Sequence, residues 1–188
     1  MSTGQATAAG AVARLRALLL DGGGLIARLV ESSAAADLEV DANEPPSPAA
    51  IAAEGPRAAG RREDYELLVE AIYEGYLLHY GQPRVVRVPD ADLRLLAGDR
   101  LYAVGLARLV ELGDTAAVAE LADTITLSAL AQGAGSVKLA DAVWQAGARA
   151  VGWGASELHS RAKELVLAGA PEALEAMRTS AAAASTAH

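Results

Sequence analysis

The chain has no cysteine and no phenylalanine, and its three histidines are His79, His159 and the C-terminal His188. Without cysteine there is no disulfide, thiolate metal site or cysteine nucleophile. Three scattered histidines argue against a histidine-rich zinc site. Aromatic residues make up 4% of the 188, so the core must be built from small side chains with Leu and Val anchors. Basic residues are in deficit, 16 against 24 acidic, for a net charge of −8. Affinity for nucleic acid comes mainly from neutralising phosphates, so this balance argues against such a partner. Long hydrophobic runs are scarce as well. The uncharged stretch Thr124 to Val137 is too short to cross a bilayer and contains Gly133 and Gly135. Met1-Ser2-Thr3-Gly4 lacks the charged start and apolar run of a signal peptide. A cytoplasmic protein without a transmembrane segment is the expectation.

What is present is alanine, the best helix former, with few β-branched residues, and the fold class that follows is all-α. Residues 1–36 read as an N-terminal helical segment. Ala6 to Leu20 places Val12, Leu15, Leu18 and Leu19 on one side, Asp21 and three glycines break it, and Leu25 to Ala36 continues. Residues 37–60 contain Pro45, Pro46, Pro48, Pro56, Gly55 and Gly60 and read as a linker, with a helical turn around Ala49 to Glu54. The core is assigned to residues 61–178 and a frayed tail to 179–188. Within the core, Arg62 to Tyr80 carries Tyr65, Leu68, Ile72, Tyr76 and His79 at steps of three and four, a helical face. Arg84-Val85-Val86-Arg87-Val88 alternates like a brief extended segment. Asp90 or Asp92 caps a helix running to Leu112, Gly113 ends it, and Asp114 caps the next as far as about Gln132. A further helix starts near Ser136 and runs, kinked at Gly152 and Gly154, to Leu167. Pro171 opens the last.

The stretch Leu93 to Gln132 holds Leu95-Leu96-Ala97-Gly98-Asp99-Arg100-Leu101 and then Leu112-Gly113-Asp114. Together with Glu70 to His79 upstream and Val137-Lys138-Leu139-Ala140 downstream, it resembles the trans-polyprenyl diphosphate synthase family across about residues 65–152. The resemblance implies a helical bundle like a truncated isoprenoid synthase fold. Catalytic members carry two Asp-Asp-x-x-Asp motifs that hold magnesium against the allylic diphosphate. This sequence has no Asp-Asp pair, and Tyr80-Gly81-Gln82-Pro83 stands where the first motif begins. The chain therefore resembles more closely the small, non-catalytic component of heterodimeric long-chain prenyl diphosphate synthases. That implies no catalytic residue, no metal and no cofactor of its own, with Mg2+ only where a catalytic partner supplies the ligands. It implies a homo-oligomer, or a heteromer with a catalytic prenyl synthase. Two other readings remain: a small isoprenoid- or lipid-binding helical module, and an all-α structural adaptor.

Few side chains stand out as candidates. Arg84 and Arg87 straddle two valines and match a guanidinium clamp on an anion, or else a solvated charged edge. Lys138 stands near the family's diphosphate-binding lysine, although the threonine that follows in the family is Leu139 here. Tyr76, His79, Asp99 and Tyr102 are candidates to line an interhelical cavity. Asp99 and His79 read equally as structural groups satisfied within the bundle. Gly98, Gly105 and Ala97 are the residues that let two helices approach closely. Leu101, Leu106, Leu109 and the Trp144 segment are expected to form apolar faces that need cover from a second chain.

Overall fold

The computed structural model describes residues 3–32, 46–88 and 90–183. They form helices α1 (Thr3–Asp21), α2 (Gly24–Ser32), α3 (Pro48–Glu54), α4 (Arg62–Tyr80), α5 (Ala91–Glu111), α6 (Thr115–Gly133), α7 (Val137–Trp153), α8 (Glu157–Leu167) and α9 (Ala173–Ala182). There is no strand among the described residues, and none of the helices is long and apolar enough to cross a membrane. The architecture is an all-α bundle. Its helix starts follow local chemistry: the carboxylate of Asp90 accepts the N–H of Leu93 at 2.8 Å, that of Asp114 accepts the N–H of Ala117 at 2.9 Å, and the Ser156 hydroxyl accepts that of His159 at 3.1 Å.

α4 is the central element, packed against α5, α3 and α1, while α6 lies against α7 and α9 against α7 and α8. One part of the core joins Tyr65, Ile72 and Tyr76 of α4 to Leu109, Leu121 and Trp144. A second part joins Leu15 and Val30 to Leu78, Val85, Val86 and Leu101. Met177 of α9 is fully buried against Val143 and Ala162 in a third. The N-terminal helices thus share a core with α4 and α5. Close approach of α4 and α5 rests on glycine, as the sequence suggests. A Cβ on Gly98 would lie 2.6 Å from the His79 ring, and one on Gly105 would lie 2.3 Å from Ile72 Cγ1.

Four local expectations need correction. The described part of residues 37–60, that is 46–60, is not a linker. Pro48–Glu54 is a capped helix whose Ala49 and Ala52 are fully buried, and residues 56–58 form a 3-10 turn. Alanines at these positions offer little apolar area to a sequence pattern but allow close contact with α7. The Val/Arg segment 84–88 is not extended strand; it is irregular backbone whose N–H groups a buried carboxylate accepts. The helix begun at Val137 does not kink through to Leu167; it ends at Gly154, whose φ of 92° no helical residue adopts, and Ser156 starts a new one. At the C-terminus the helix continues through residues 179–182 and buries Ser180. Residues 37–45 of the linker reading and 184–188 of the tail reading lie outside the described residues.

α3 meets α7 at the tightest backbone contact of this kind: a Cβ on Gly55 would sit 2.1 Å from the Gly152 carbonyl oxygen. Backbone cannot step aside as a side-chain end does. Gly55→Ala should therefore cost about 3 kcal/mol in urea unfolding. Gly60→Ala, at a φ of +78° with open space around it, should cost about 1 kcal/mol from backbone strain alone. Equal losses at the two positions would contradict the contact.

Candidate functional site

α4 carries three buried glutamates one turn apart: Glu66, Glu70 and Glu74 are 6%, 1% and 0% exposed. Each is met by an arginine from another segment. Arg14 of α1 donates to Glu66, and Arg84 of the α4–α5 connection donates to Glu70 and lies 3.7 Å from Glu74. Glu74 holds the connection itself. Its Oε1 accepts the backbone N–H groups of Arg84, Val85 and Val86 at 2.8, 2.6 and 3.1 Å, a concave run of amides closed on one carboxylate. Glu70 keeps one oxygen, Oε2, without any hydrogen-bond partner. Burial pushes the Glu70 carboxyl up to about 7 against the pull of Arg84, with Glu74 and Glu66 adding to the rise. Burial likewise raises Glu66, and Arg14 opposes it.

The two arginines proposed as an anion clamp are placed differently. Arg84 is engaged internally by the carboxylates just described and lies over the Tyr73 ring at 5.2 Å. Arg87 is exposed on the same connection, and Lys138 is exposed in the first turn of α7. Arg94 is bound to the end of α4, donating to the carbonyls of Leu78 and, at 3.3 Å, Gly81.

Three of the four residues proposed to line a cavity come together. His79 stacks flat on Tyr102 with ring centroids 5.3 Å apart, and its Nε2 lies 3.1 Å from Asp99 Oδ1, without hydrogen-bond direction. The Gly98 backbone makes room for the imidazole. Tyr76 instead packs on Tyr73 and Trp144 and accepts a hydrogen bond from Gln132 Nε2 at 2.6 Å. Tyr80 bridges the two groups, 5.5 Å from Tyr76 and 5.8 Å from His79. Burial pushes the Tyr73 hydroxyl up to about 12 and raises Tyr76 and Tyr102, so these phenols stay protonated. None of the four lines the groove of about 140 Å3 formed by Leu18, Leu67, Leu68 and Leu112 with Asp64, Arg108 and Glu111. That volume is well below the roughly 300 Å3 at which small-molecule pockets begin.

Two polar clusters escaped sequence reading. The Asp114 carboxylate, besides capping α6, accepts from Arg57 at 2.6 Å and from the Tyr65 hydroxyl, tying the α5–α6 turn to α4. Burial raises the Tyr65 hydroxyl and Asp114 raises it further. The other cluster joins α6, α8 and α9. His159, 3% exposed, contacts the Ser180 hydroxyl through Nδ1 at 3.0 Å and Glu120 through Nε2 at 3.2 Å. Lys163 donates to Glu120 and, at 2.7 Å, to Asp123. The order serine, imidazole, carboxylate matches that of a nucleophilic triad, but both Ser180 and His159 are buried and leave a substrate no approach. It is a clamp between helices. Burial works to raise Glu120, yet the His159 and Lys163 bonds outweigh it and hold the carboxyl below its usual value. Among the described residues no group of three or more His, Asp or Glu side chains is placed to hold a metal ion.

Two outcomes follow from these geometries. Glu74→Leu leaves three buried or half-buried N–H groups without an acceptor and should cost about 3 kcal/mol or more, while Glu74→Gln, which keeps one acceptor oxygen, should cost less; thermal unfolding of the pair checks this. For Glu120 the folded carboxyl lies below its unfolded value of 4.5, so its contribution is complete above that pH and is lost as the pH falls through the lower folded value. Below pH 4.5 the wild-type chain should lose stability more steeply than Glu120→Gln. Parallel acid-unfolding curves would refute the assignment. No protein-family model matches this chain, and neither a curated protein nor a solved structure does.

Proposed function

We propose that the chain is a non-catalytic subunit of prenyl diphosphate synthesis, a helical protein that works in the cytoplasm by pairing with a catalytic prenyl synthase. The observation that carries this reading is the outward side of α5 and α6. α5 buries Ala97, Gly98, Leu101, Gly105 and Leu109 toward its own bundle. Its opposite face turns Leu96 and Val110 to solvent, 58% and 55% exposed, with exposed Ala103 and Ala107 between them. On α6, Ala119, Ala122, Thr126 and Leu130 are exposed. These eight side chains are uncharged, with Asp99 and Arg100 on α5 and Asp123 on α6 exposed beside them. Small residues flanked by branched apolar ones let a second helix approach closely and bury apolar area.

This is not the face expected from the sequence. Leu101, Leu109 and Trp144 are buried in the chain's own core and Leu106 is half-buried. The surface in want of cover lies on the other side of α5. The residues of the family resemblance, Ala97-Gly98-Asp99 and Gly113-Asp114, lie on this same helix pair and its turn. That supports a prenyl synthase as the partner. In this reading the magnesium ions and the diphosphate chemistry belong to the catalytic chain, and this subunit contributes contact surface.

Sedimentation equilibrium at micromolar concentration, alone and with a co-expressed catalytic prenyl synthase, tests the reading. A heteromer should form, and Leu96→Glu with Val110→Glu should weaken it at least about 100-fold, the loss of two buried apolar anchors, while the far-ultraviolet dichroism stays unchanged. A clean monomer under both conditions would remove the proposal.

A further inference from the structure

The polar centre of α4 does not balance. Glu70 and Glu74, both essentially without solvent contact, share the single guanidinium of Arg84, and Glu70 Oε2 is buried with no partner. The other charged and titratable groups that surround them come from several elements, with Asp141 of α7 adding negative charge beside Tyr73. On α4 itself, Glu66 is engaged by Arg14 of α1, and Tyr73 lies under Arg84. From α5, Arg94 is spent on the carbonyls of Leu78 and Gly81, and α3 packs on α4 through alanines. On the connection, Arg87 is exposed. The cluster therefore holds one negative charge more than its arginine neutralises whenever both carboxylates are ionised.

We propose that the Glu70–Arg84–Glu74 cluster is a proton-operated latch on the α4–α5 connection, closed while Glu70 holds a proton and loosened when that proton leaves. The direction follows from where the charge goes. Opening the connection lifts Arg84, Val85 and Val86 off Glu74 and lets water reach Glu70. The open form therefore ionises at an ordinary carboxylate value near 4.5, and the closed form only at about 7. A form that binds the proton more tightly is favoured by it, so opening becomes easier as the pH rises from 4.5 through 7 and changes little above. The charge-assisted bond to Arg84 acts the other way but is the smaller effect, because desolvation of a carboxylate with one orphaned oxygen outweighs it. Between pH 6 and pH 8 these values give about a tenfold rise in the open population. The loosened connection would present Val85, Val86 and Val88, all buried when it is closed, to solvent or to a partner. This latch does not depend on the subunit reading.

Two measurements on the full chain test it together. Infrared difference titration should show a protonated carboxylic acid band that disappears with a midpoint within about one unit of 7 and is absent in Glu70→Gln. Hydrogen exchange, corrected for intrinsic rate, should show the amides of Arg84, Val85 and Val86 opening about ten times more at pH 8 than at pH 6. In Glu70→Gln, which removes the excess charge at nearly constant shape, opening should be low and independent of pH. Arg84→Met, should it fold, ought to move the band midpoint upward. Absence of the band at pH 6, or equal opening at both pH values in the wild-type chain, would overturn the latch.

Discussion

The bundle depends on three carboxylates in the middle of a helix. Glu66, Glu70 and Glu74 lie one turn apart on α4, and an amphipathic surface helix would turn such a row to water. Here α4 is buried nearly all round, by α1 on one side, α5 on another and α3 with α7 beyond. The row can be inside only because its acids meet two guanidinium groups carried by other pieces of chain, Arg14 on Glu66 and Arg84 on Glu70 and Glu74. Arg14 thereby fixes where α1 crosses, and Arg84 together with the three amides on Glu74 fixes how the chain turns from α4 into α5. Unpaired, each of these groups would cost several kcal/mol. The same contacts that make the interior tolerable therefore set the relative position of three elements.

Around that centre the packing is made of small residues. With no phenylalanine, the chain reaches interior density by bringing backbones together instead of filling gaps with rings. Gly75, Gly98 and Gly105 bring α4 and α5 into contact, Gly147 meets Thr124 between α6 and α7, and Gly55 meets Gly152 between α3 and α7. Five of the seven Tyr and Trp side chains are gathered in one place instead. Tyr73 and Tyr76 surround Trp144, with Tyr80, His79 and Tyr102 continuing the contact outward. Trp144 is the largest fully buried side chain, and its indole nitrogen has no hydrogen-bond acceptor, so it is held by shape and ring contact.

How much of this was legible depended on whether local chemistry decides it. The limits of α4, the Asp90 and Asp114 caps and the glycine contact between α4 and α5 could be read directly, because a cap or a missing Cβ acts within a turn of its own residue. The helical turn at Ala49 to Glu54 was legible, but its burial was not, because proline at a first helical turn and proline in a linker look alike and its buried face is alanine. The row of glutamates was hidden for a related reason. Spacing of four is the signature of a solvent face, and nothing in the residues near it says that Arg14 and Arg84 will arrive. In sequence Arg84 reads as an anion clamp or a solvated edge, and its internal carboxylates went unread because they stand ten and fourteen residues back in the chain. The His159 clamp joins α6, α8 and α9, a contact that only tertiary structure creates.

The distribution of polar chemistry bears on what kind of protein this is. Arg84, Asp114, Glu120, His159 and Lys163 are groups whose types suggest binding or catalysis, and each is engaged inside the fold, whereas Arg87 and Lys138 are exposed. Asp114 illustrates the point. In the sequence it marks a family-like turn; in the structure it caps α6, receives Tyr65 and pairs with Arg57, which is sufficient physical reason for an aspartate there. A helix pair whose inward face is held this firmly presents an ordered outward side, on which Leu96, Val110 and Leu130 are exposed among the charged Asp99, Arg100 and Asp123. Rigidity matters for association, since a surface already ordered loses little entropy on meeting a partner. The interior thus does structural work with groups that look catalytic.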